Sequence, residues 1–162
     1  KYDYDALTDA TKALVGFGRE SNLVLVRAGG KAYPNIRGTG ELLEAVLKCF
    51  SLGSGPVIIQ KMVAPEKAGI MYTSKGGGMS IEATYGFASP IASKEIQPDV
   101  YTVSNGQITN KTLGSKQFAL ITNQHNRTIE KTNISPEKQK GFVLHQREVE
   151  VIARLAKILC VL

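Results

Sequence analysis

Few side chains in this 162-residue sequence are of types that handle a charged substrate, and their positions decide what chemistry is open to it. Arg27 follows the apolar run Leu23-Val24-Leu25-Val26 and reads as a cation ending a buried strand. Gln60 and Lys61 interrupt a second apolar run, Val57-Ile58-Ile59-Gln60-Lys61-Met62-Val63. A polar break there points to a strand edge facing a cleft, where backbone groups meet a ligand, or to a strand whose polar positions face water. Glu82 lies inside a third run, where a carboxylate can ligate a metal, hydrogen-bond an amino group, or simply point outward. Lys75 beside Gly76-Gly77-Gly78 resembles a phosphate cradle in composition only. The lysine precedes the glycines and no Ser or Thr follows in register, so a plain hairpin loop is expected. His125 and His145 lack any catalytic context and are read as surface residues. Lys116 has no role that spacing reveals.

The elements that must position these groups follow from periodicity. Leu7, Ala10, Leu14 and Phe17 predict an amphipathic helix over Asp5–Phe17, stopped at Gly18. Residues Asn22–Arg27 read as a strand, with Gly29-Gly30 forcing a turn. Thr39 is the expected cap of a helix whose core stripe is Leu42, Leu43, Val46, Leu47 and Phe50, terminated by Gly53-Ser54-Gly55-Pro56. The runs Val57–Val63 and Ala68–Thr73, separated by a turn containing Pro65, are expected to be neighbouring strands, with Ser80–Tyr85 a third. Asn105-Gly106 between two short runs is a strong hairpin signal. Lys116–Thr122 and Thr128–Lys131 suggest further strands. A closing helix is expected to bury Val149, Ile152, Ala153, Ala156 and Leu159, with Leu144 at its entrance. The expected class is α+β: a mostly antiparallel sheet with about three helices, folded as one compact domain over residues 1–162.

Composition narrows the partners. A 43% hydrophobic chain of this length buries roughly two-thirds of its unfolded surface in a single core. No run approaches the roughly 20 apolar residues of a membrane helix, and the opening Lys-Tyr-Asp-Tyr-Asp is not a signal peptide. The net charge of +6 is spread along the chain without a dense basic run or interleaved aromatics, which argues against sequence-directed nucleic-acid binding but favours a polyphosphate ligand. Cys49 and Cys160 match no metal spacing. Two buried thiols in a reducing cytoplasm are expected, with a disulfide as the alternative.

Four ordered motifs carry a resemblance: Gln60-Lys61-Met62-Val63, Gly69-Ile70-Met71-Tyr72-Thr73, Ile81-Glu82-Ala83-Thr84-Tyr85-Gly86-Phe87 and Ile96-Gln97-Pro98-Asp99-Val100-Tyr101. Gly40–Val46 before them, and Leu113-Gly114-Ser115-Lys116 and Glu148–Lys157 after them, keep the same order. Together, over roughly residues 22–160, they resemble the ATP-grasp nucleotide-binding domain of phosphoenolpyruvate synthase (pyruvate, water dikinase), which is similar in pyruvate phosphate dikinase and rifampicin phosphotransferase. The resemblance implies a partial ATP-grasp fold. It implies that Arg27 contacts phosphates, that Gln60, Lys61, Met62 and Val63 hold adenine largely through backbone hydrogen bonds, and that Glu82 belongs to the same nucleotide site. The family's phosphorylated histidine follows a Gly-Gly motif in a separate domain, and neither His125 nor His145 resembles it.

The departures from the family are concentrated. A Ser-Ser-Ala run and a Gly-containing loop over the phosphates are replaced by Ala28-Gly29-Gly30-Lys31; a helical segment after Phe50 is cut by Gly53-Ser54-Gly55; an Asn/Asp-Pro loop becomes Lys75-Gly76-Gly77-Gly78; and the Gly-Leu-Gly-Glu block reads Gly86-Phe87-Ala88-Ser89. The family's ATP-contacting Gly-Gly-Lys has no counterpart before residue 22, and its metal-ligating strands would follow Leu162. The expectation is therefore a shortened domain that binds ATP weakly at most and is not catalytic alone, with Mg²⁺ only if another chain supplies ligands. Two alternative readings and one expected mode of association accompany it. The chain is a non-catalytic interaction or regulatory protein that kept the fold and lost the ligand, or it is part of an enzyme assembled in trans. The expected association, as a homo-oligomer or with a protein partner, runs through its closing helix.

Overall fold

A continuous buried run, Val24-Leu25-Val26, sets up the first half of the chain. In the computed structural model, which describes Asp5, Ala6, Asp9 and residues 23–53, 55–123, 125, 126 and 128–159, this run opens strand β1 (Val24–Ala28). Most of the helix expected over Asp5–Phe17, its stop at Gly18, Asn22, Ser54 and Cys160–Leu162 lie outside the described residues. Contacts divide the chain into two units, Lys1–Val63 and Ala64–Leu162.

In the first unit, β1 is the centre of a three-stranded antiparallel sheet between β2 (Lys31–Ile36) and β3 (Ile58–Lys61). A two-residue Gly29-Gly30 turn with φ of 54° and 79° joins β1 to β2, the positive dihedrals that suit a tight hairpin. Helix α1 (Gly38–Ser51) lies on one face, where Leu42, Ala45, Val46 and Cys49 meet Val24 and Val26. The helix is apolar over more than half its circumference, so two stripes fit the period. The observed one lies a step from the expected stripe: Ala45 and Cys49 are buried, while Leu47 and Phe50 are exposed. Small residues let helix and sheet approach closely. The expected Thr39 cap is also displaced. The N-cap is Arg37, without a side-chain cap, and its N–H donates to Glu41 Oε2 at 2.8 Å. Burial raises the Cys49 thiol pKa, keeping it an inert core group.

The second unit is built on a four-stranded antiparallel sheet in sequence order: β4 (Lys67–Thr73), β5 (Met79–Tyr85), β6 (Asp99–Ser104) and β7 (Gln107–Thr112). The expected pairing of Val57–Val63 with Ala68–Thr73 does not form. β3 pairs with β1, and β4 pairs with β5 across the Ser74–Gly78 loop. Pro65 interrupts the chain between the two runs. The Asn105-Gly106 hairpin between β6 and β7 forms as expected, with φ of 52° and 82°. A separate hairpin, β8 (Phe118–Thr122) with β9 (Ile129–Asn133), follows. Two short helices, α2 (Ser89–Ala92) and α3 (Pro136–Lys140), precede the long α4 (Gln146–Leu159). Helix α4 packs Val149, Ala153 and Ala156 onto Met79, Ile81, Ala83, Tyr101 and Val103. Leu159, expected in this core, is 68% exposed. The α+β class and the antiparallel pairing agree with the sequence reading; among the described residues the strands fall into three sheets.

A fully buried ion pair ties this unit together. Lys116 Nζ donates to Asp99 Oδ1, both side chains having no solvent exposure. The same oxygen accepts the Gly114 N–H at 2.8 Å, and Oδ2 accepts the Val143 N–H at 2.6 Å. Two positions along β6, the Tyr101 hydroxyl accepts the Leu144 N–H at 2.8 Å and donates to the Leu144 carbonyl at 3.1 Å. Glu148 completes the approach to α4: its carboxylate accepts the His145 N–H at 2.7 Å and pairs with Lys67 at 2.8 Å. Those two bonds hold its pKa below the usual carboxylate value.

Lys116→Met should cost about 3–5 kcal/mol in urea unfolding, because it strands the Asp99 charge in the core. A loss below about 1 kcal/mol would show that the pair is not buried as described. Burial pushes the Tyr101 hydroxyl up to about 12, above its ordinary value near 10. Below about pH 10 the hydroxyl is protonated folded or unfolded, and its contribution is complete. Between about pH 10 and 12 only the unfolded chain ionises there, so stability falls. The stability difference between the protein and Tyr101→Phe should accordingly shrink across that window; a constant difference would contradict the assignment.

Candidate functional site

Register fixes where the candidate residues of the first unit stand. Leu25 is opposite Gln60, and Arg27 is opposite Ile58, so these four side chains share the sheet face turned away from α1. Arg27 and Gln60 are diagonal neighbours on that face, and both are exposed. Lys61 is opposite Val24, which places its side chain on the other face. The structure therefore brings Arg27 and Gln60 together and separates the Lys61 side chain from them.

The backbone of the same segment is arranged differently from its side chains. Met62 N–H donates to the Leu23 carbonyl at 2.8 Å, extending the β1–β3 ladder one pair beyond the strand. In an antiparallel ladder, alternate residues bond inward and the ones between them present N–H and C=O outward. Met62, Gln60 and Ile58 are thus the inward residues, while Lys61 and Val63 face the outer side. Among the described residues β1 is the only strand neighbour of β3, so these groups form an open edge. Val63 is 65% exposed, and Lys61 is exposed as well. An edge offering a carbonyl acceptor two residues before an N–H donor complements a flat heterocycle with an exocyclic amine beside a ring nitrogen. Adenine is such a ring.

Glu82 lies in the second unit on β5, between Ile70 of β4 and Val100 of β6. It belongs to the face opposite α4 and is half-buried. Among the described residues its carboxylate has no hydrogen-bond or ion-pair partner. No group of three or more His, Cys, Asp or Glu able to hold a metal occurs among the described residues.

Other candidates resolve into structural roles. The Lys75 loop is a hairpin connection closed by Ser74 N–H to the Gly78 carbonyl at 2.9 Å. His125 is exposed in the β8–β9 loop, its N–H bonded to Asn123 Oδ1, and His145 is exposed at the entrance to α4. Lys116, whose role spacing does not reveal, is the buried partner of Asp99. Sequence reasoning missed Asp99 itself, although it stands within the quoted motif Gln97-Pro98-Asp99-Val100-Tyr101. Its partner follows 17 residues later, and no periodicity links two charges at that separation. The signal that was available is Gly114, where a Cβ would collide with the backbone of Gln97 and Pro98, marking a forced close approach of the two segments.

Comparison with known proteins matches this arrangement to one family. Residues 54–160 match the pyruvate phosphate dikinase AMP/ATP-binding domain. A probable phosphoenolpyruvate synthase of Archaeoglobus fulgidus is 29% identical over 154 residues, covering 80% of this chain and 20% of that protein. A similar protein of Methanothermobacter thermautotrophicus is 29% identical over 148 residues, covering 76% and 21%. A rifampicin phosphotransferase of Bacillus cereus is 31% identical over 106 residues, covering 62% and 12%. The chain thus spans about a fifth or less of the length of these curated relatives. The matched region takes in the outward-facing Lys61–Val63 edge, the Glu82 strand and the Asp99–Lys116 lock, and on that ground the chain belongs to the pyruvate phosphate dikinase AMP/ATP-binding domain family.

Proposed function

We propose that this chain binds an adenine nucleotide, reading the base with the outward backbone groups of Lys61 and Val63 and the phosphates with Arg27, and that it does not transfer a phosphoryl group by itself. The observation that carries the first half is the open edge of β3, whose unshared carbonyl and N–H match the hydrogen-bonding edge of adenine. The exposed guanidinium of Arg27, on the strand beside it, supplies the positive charge that phosphates require. The second half rests on the Gly29-Gly30 turn. Two residues cannot cover a triphosphate as the longer family loop does, and charge on the transferring group would stay uncompensated. Mg²⁺ enters this scheme with carboxylates from outside the described residues, and the buried, free Cys49 fits a reducing, cytoplasmic setting.

Isothermal calorimetry with ATP and ADP should show weak binding, reduced about tenfold in Arg27→Ala. Absence of heat, together with an unshifted melting temperature, would reject the reading. Proline substitution tests the backbone assignment separately. Val63→Pro removes an outward N–H and should abolish nucleotide binding while leaving the melting temperature nearly unchanged. Met62→Pro removes the bond to Leu23 and should lower the melting temperature. Equal effects of the two on stability would contradict the register.

A second reading is favoured by the outer side of α4. Val151, Leu155, Ile158 and Leu159 recur at helical spacing and are 44%, 54%, 62% and 68% exposed. Such a stripe suits an interaction or regulatory protein, or a homo-oligomer, better than a helix facing water. Sedimentation should then detect an assembly that Leu155→Arg disperses; a monomer at all concentrations would exclude self-association.

A further inference from the structure

Two opposite charges in the second unit face one cavity without meeting each other. The cavity, about 740 Å³ in volume, lies between the start of β4, the end of β5, the β8–β9 hairpin and α3. That volume is within the range of small-molecule sites, and none of Arg27, Gln60, Lys61, Met62, Val63 or Glu82 lines it. Gly86 sets its geometry. It bridges Leu120, and a Cβ there would collide with the Leu120 carbonyl. Gly86 N–H donates to the Glu66 carbonyl, and Phe87 N–H to that of Leu120, both at 2.9 Å. These bonds hold β8 against the end of β5 and fix the main chain of Glu66 beside it.

Glu66, Lys67 and Lys138 are the charged members of the described lining. Lys67 is neutralised by Glu148 at 2.8 Å. Among the described residues, the Glu66 carboxylate and the Lys138 ammonium have no ion-pair partner, and they do not pair with each other. Glu66 stands just ahead of β4, whereas Lys138 is on α3, its ammonium 5.5 Å from the centroid of the Tyr85 ring. Thr132, Asn133 and Ser135 add hydrogen-bonding groups without altering the charge. The walls therefore sum to zero but are dipolar. A simple anion is drawn to Lys138 and opposed by Glu66, and a simple cation meets the reverse; a ligand carrying both charges satisfies both. Pro65, Ala119 and Ile121 supply apolar surface beside the Tyr85 ring. We infer that this cavity binds a zwitterion with an apolar body, an α-amino acid with an apolar side chain in the simplest case. The ligand's ammonium pairs with Glu66, its carboxylate with Lys138, and its side chain lies against Tyr85 and Ile121.

The experiment titrates the full chain, ¹⁵N-labelled, with L-phenylalanine. Saturable amide shifts should cluster at Gly86, Ala119, Ile121 and Lys138. The analogue 3-phenylpropanoate lacks the ammonium and 2-phenylethylamine lacks the carboxylate, and each should bind about fivefold more weakly. Glu66→Gln should weaken L-phenylalanine binding about fivefold without weakening that of 3-phenylpropanoate. Lys138→Met should weaken it equally and spare 2-phenylethylamine. Both positions are exposed, so neither variant should disturb the fold, and structural damage would weaken every probe alike. Saturating ATP should leave the titration unchanged whether or not ATP itself binds, which separates this site from the nucleotide reading. Five results would overturn the inference: no saturable shifts, shifts clustered elsewhere, a single-charge analogue binding as tightly as L-phenylalanine, equal loss of all three probes in either variant, or displacement of L-phenylalanine by ATP.

Discussion

Removing a carboxylate and an ammonium from water costs several kcal/mol for each ion, and among the described residues the second unit tolerates that cost at a single place. Asp99 accepts three donors there, from Lys116, Gly114 and Val143. Such a pair is poor at adding stability compared with apolar packing, but it is strict about geometry, since a charge left without its partner is worse than either alternative. The strictness propagates. Gly114 must pass against Gln97 and Pro98 without a side chain, and Lys116 adopts a positive φ of 31° to reach inward. Val143 and Leu144 are delivered to the sheet immediately before α4 begins. The helix that covers the four-stranded sheet is therefore aimed by polar contacts, then held by apolar ones.

If the edge of β3 reads a base as proposed, recognition through main chain lets it outlast sequence change. The Lys61 carbonyl and Val63 N–H are supplied by any residue but proline at the donor position, so substitution at 60–63 alters neither their direction nor their spacing. What keeps them outward is the pairing of β3 with β1, which depends on Val24 and Val26 packing on α1. The determinants of such a site are core residues on the opposite face of its sheet. Arg27 is a different case, because its contribution belongs to its own side chain and disappears with it.

Much of the fold was legible because local signals agreed with each other. Asn105-Gly106 announced its hairpin, Ser80–Tyr85 its strand, and the spacing of Val149, Ala153 and Ala156 the inner face of α4. What failed was non-local. Val57–Val63 and Ala68–Thr73 were both recognisable as strands, yet their partners lie in different sheets, and nothing in either run encodes that choice. The α1 stripe was misplaced by a step because Leu43, Leu47 and Phe50 are as apolar as the residues that are buried; volume, not hydrophobicity, selected Ala45 and Cys49. At the candidate site, the resemblance identified the segment. Only the register separated its inward residues, Gln60 and Met62, from its outward ones.

Binding and transfer make unequal demands on this scaffold. An adenine edge needs two backbone groups and a cation nearby, and each contributes on the order of 1 kcal/mol or somewhat more. Phosphoryl transfer needs several charges arranged around three equatorial oxygens, where losing one stabilising donor costs roughly a hundredfold or more in rate. The Gly29-Gly30 turn leaves β1 and β2 paired to their ends. On the proposed reading, so short a turn spares the binding edge and leaves out what catalysis would use. On that reading, fold stability and base recognition would tolerate a short turn that transfer would not, and the domain would keep its nucleotide without the reaction.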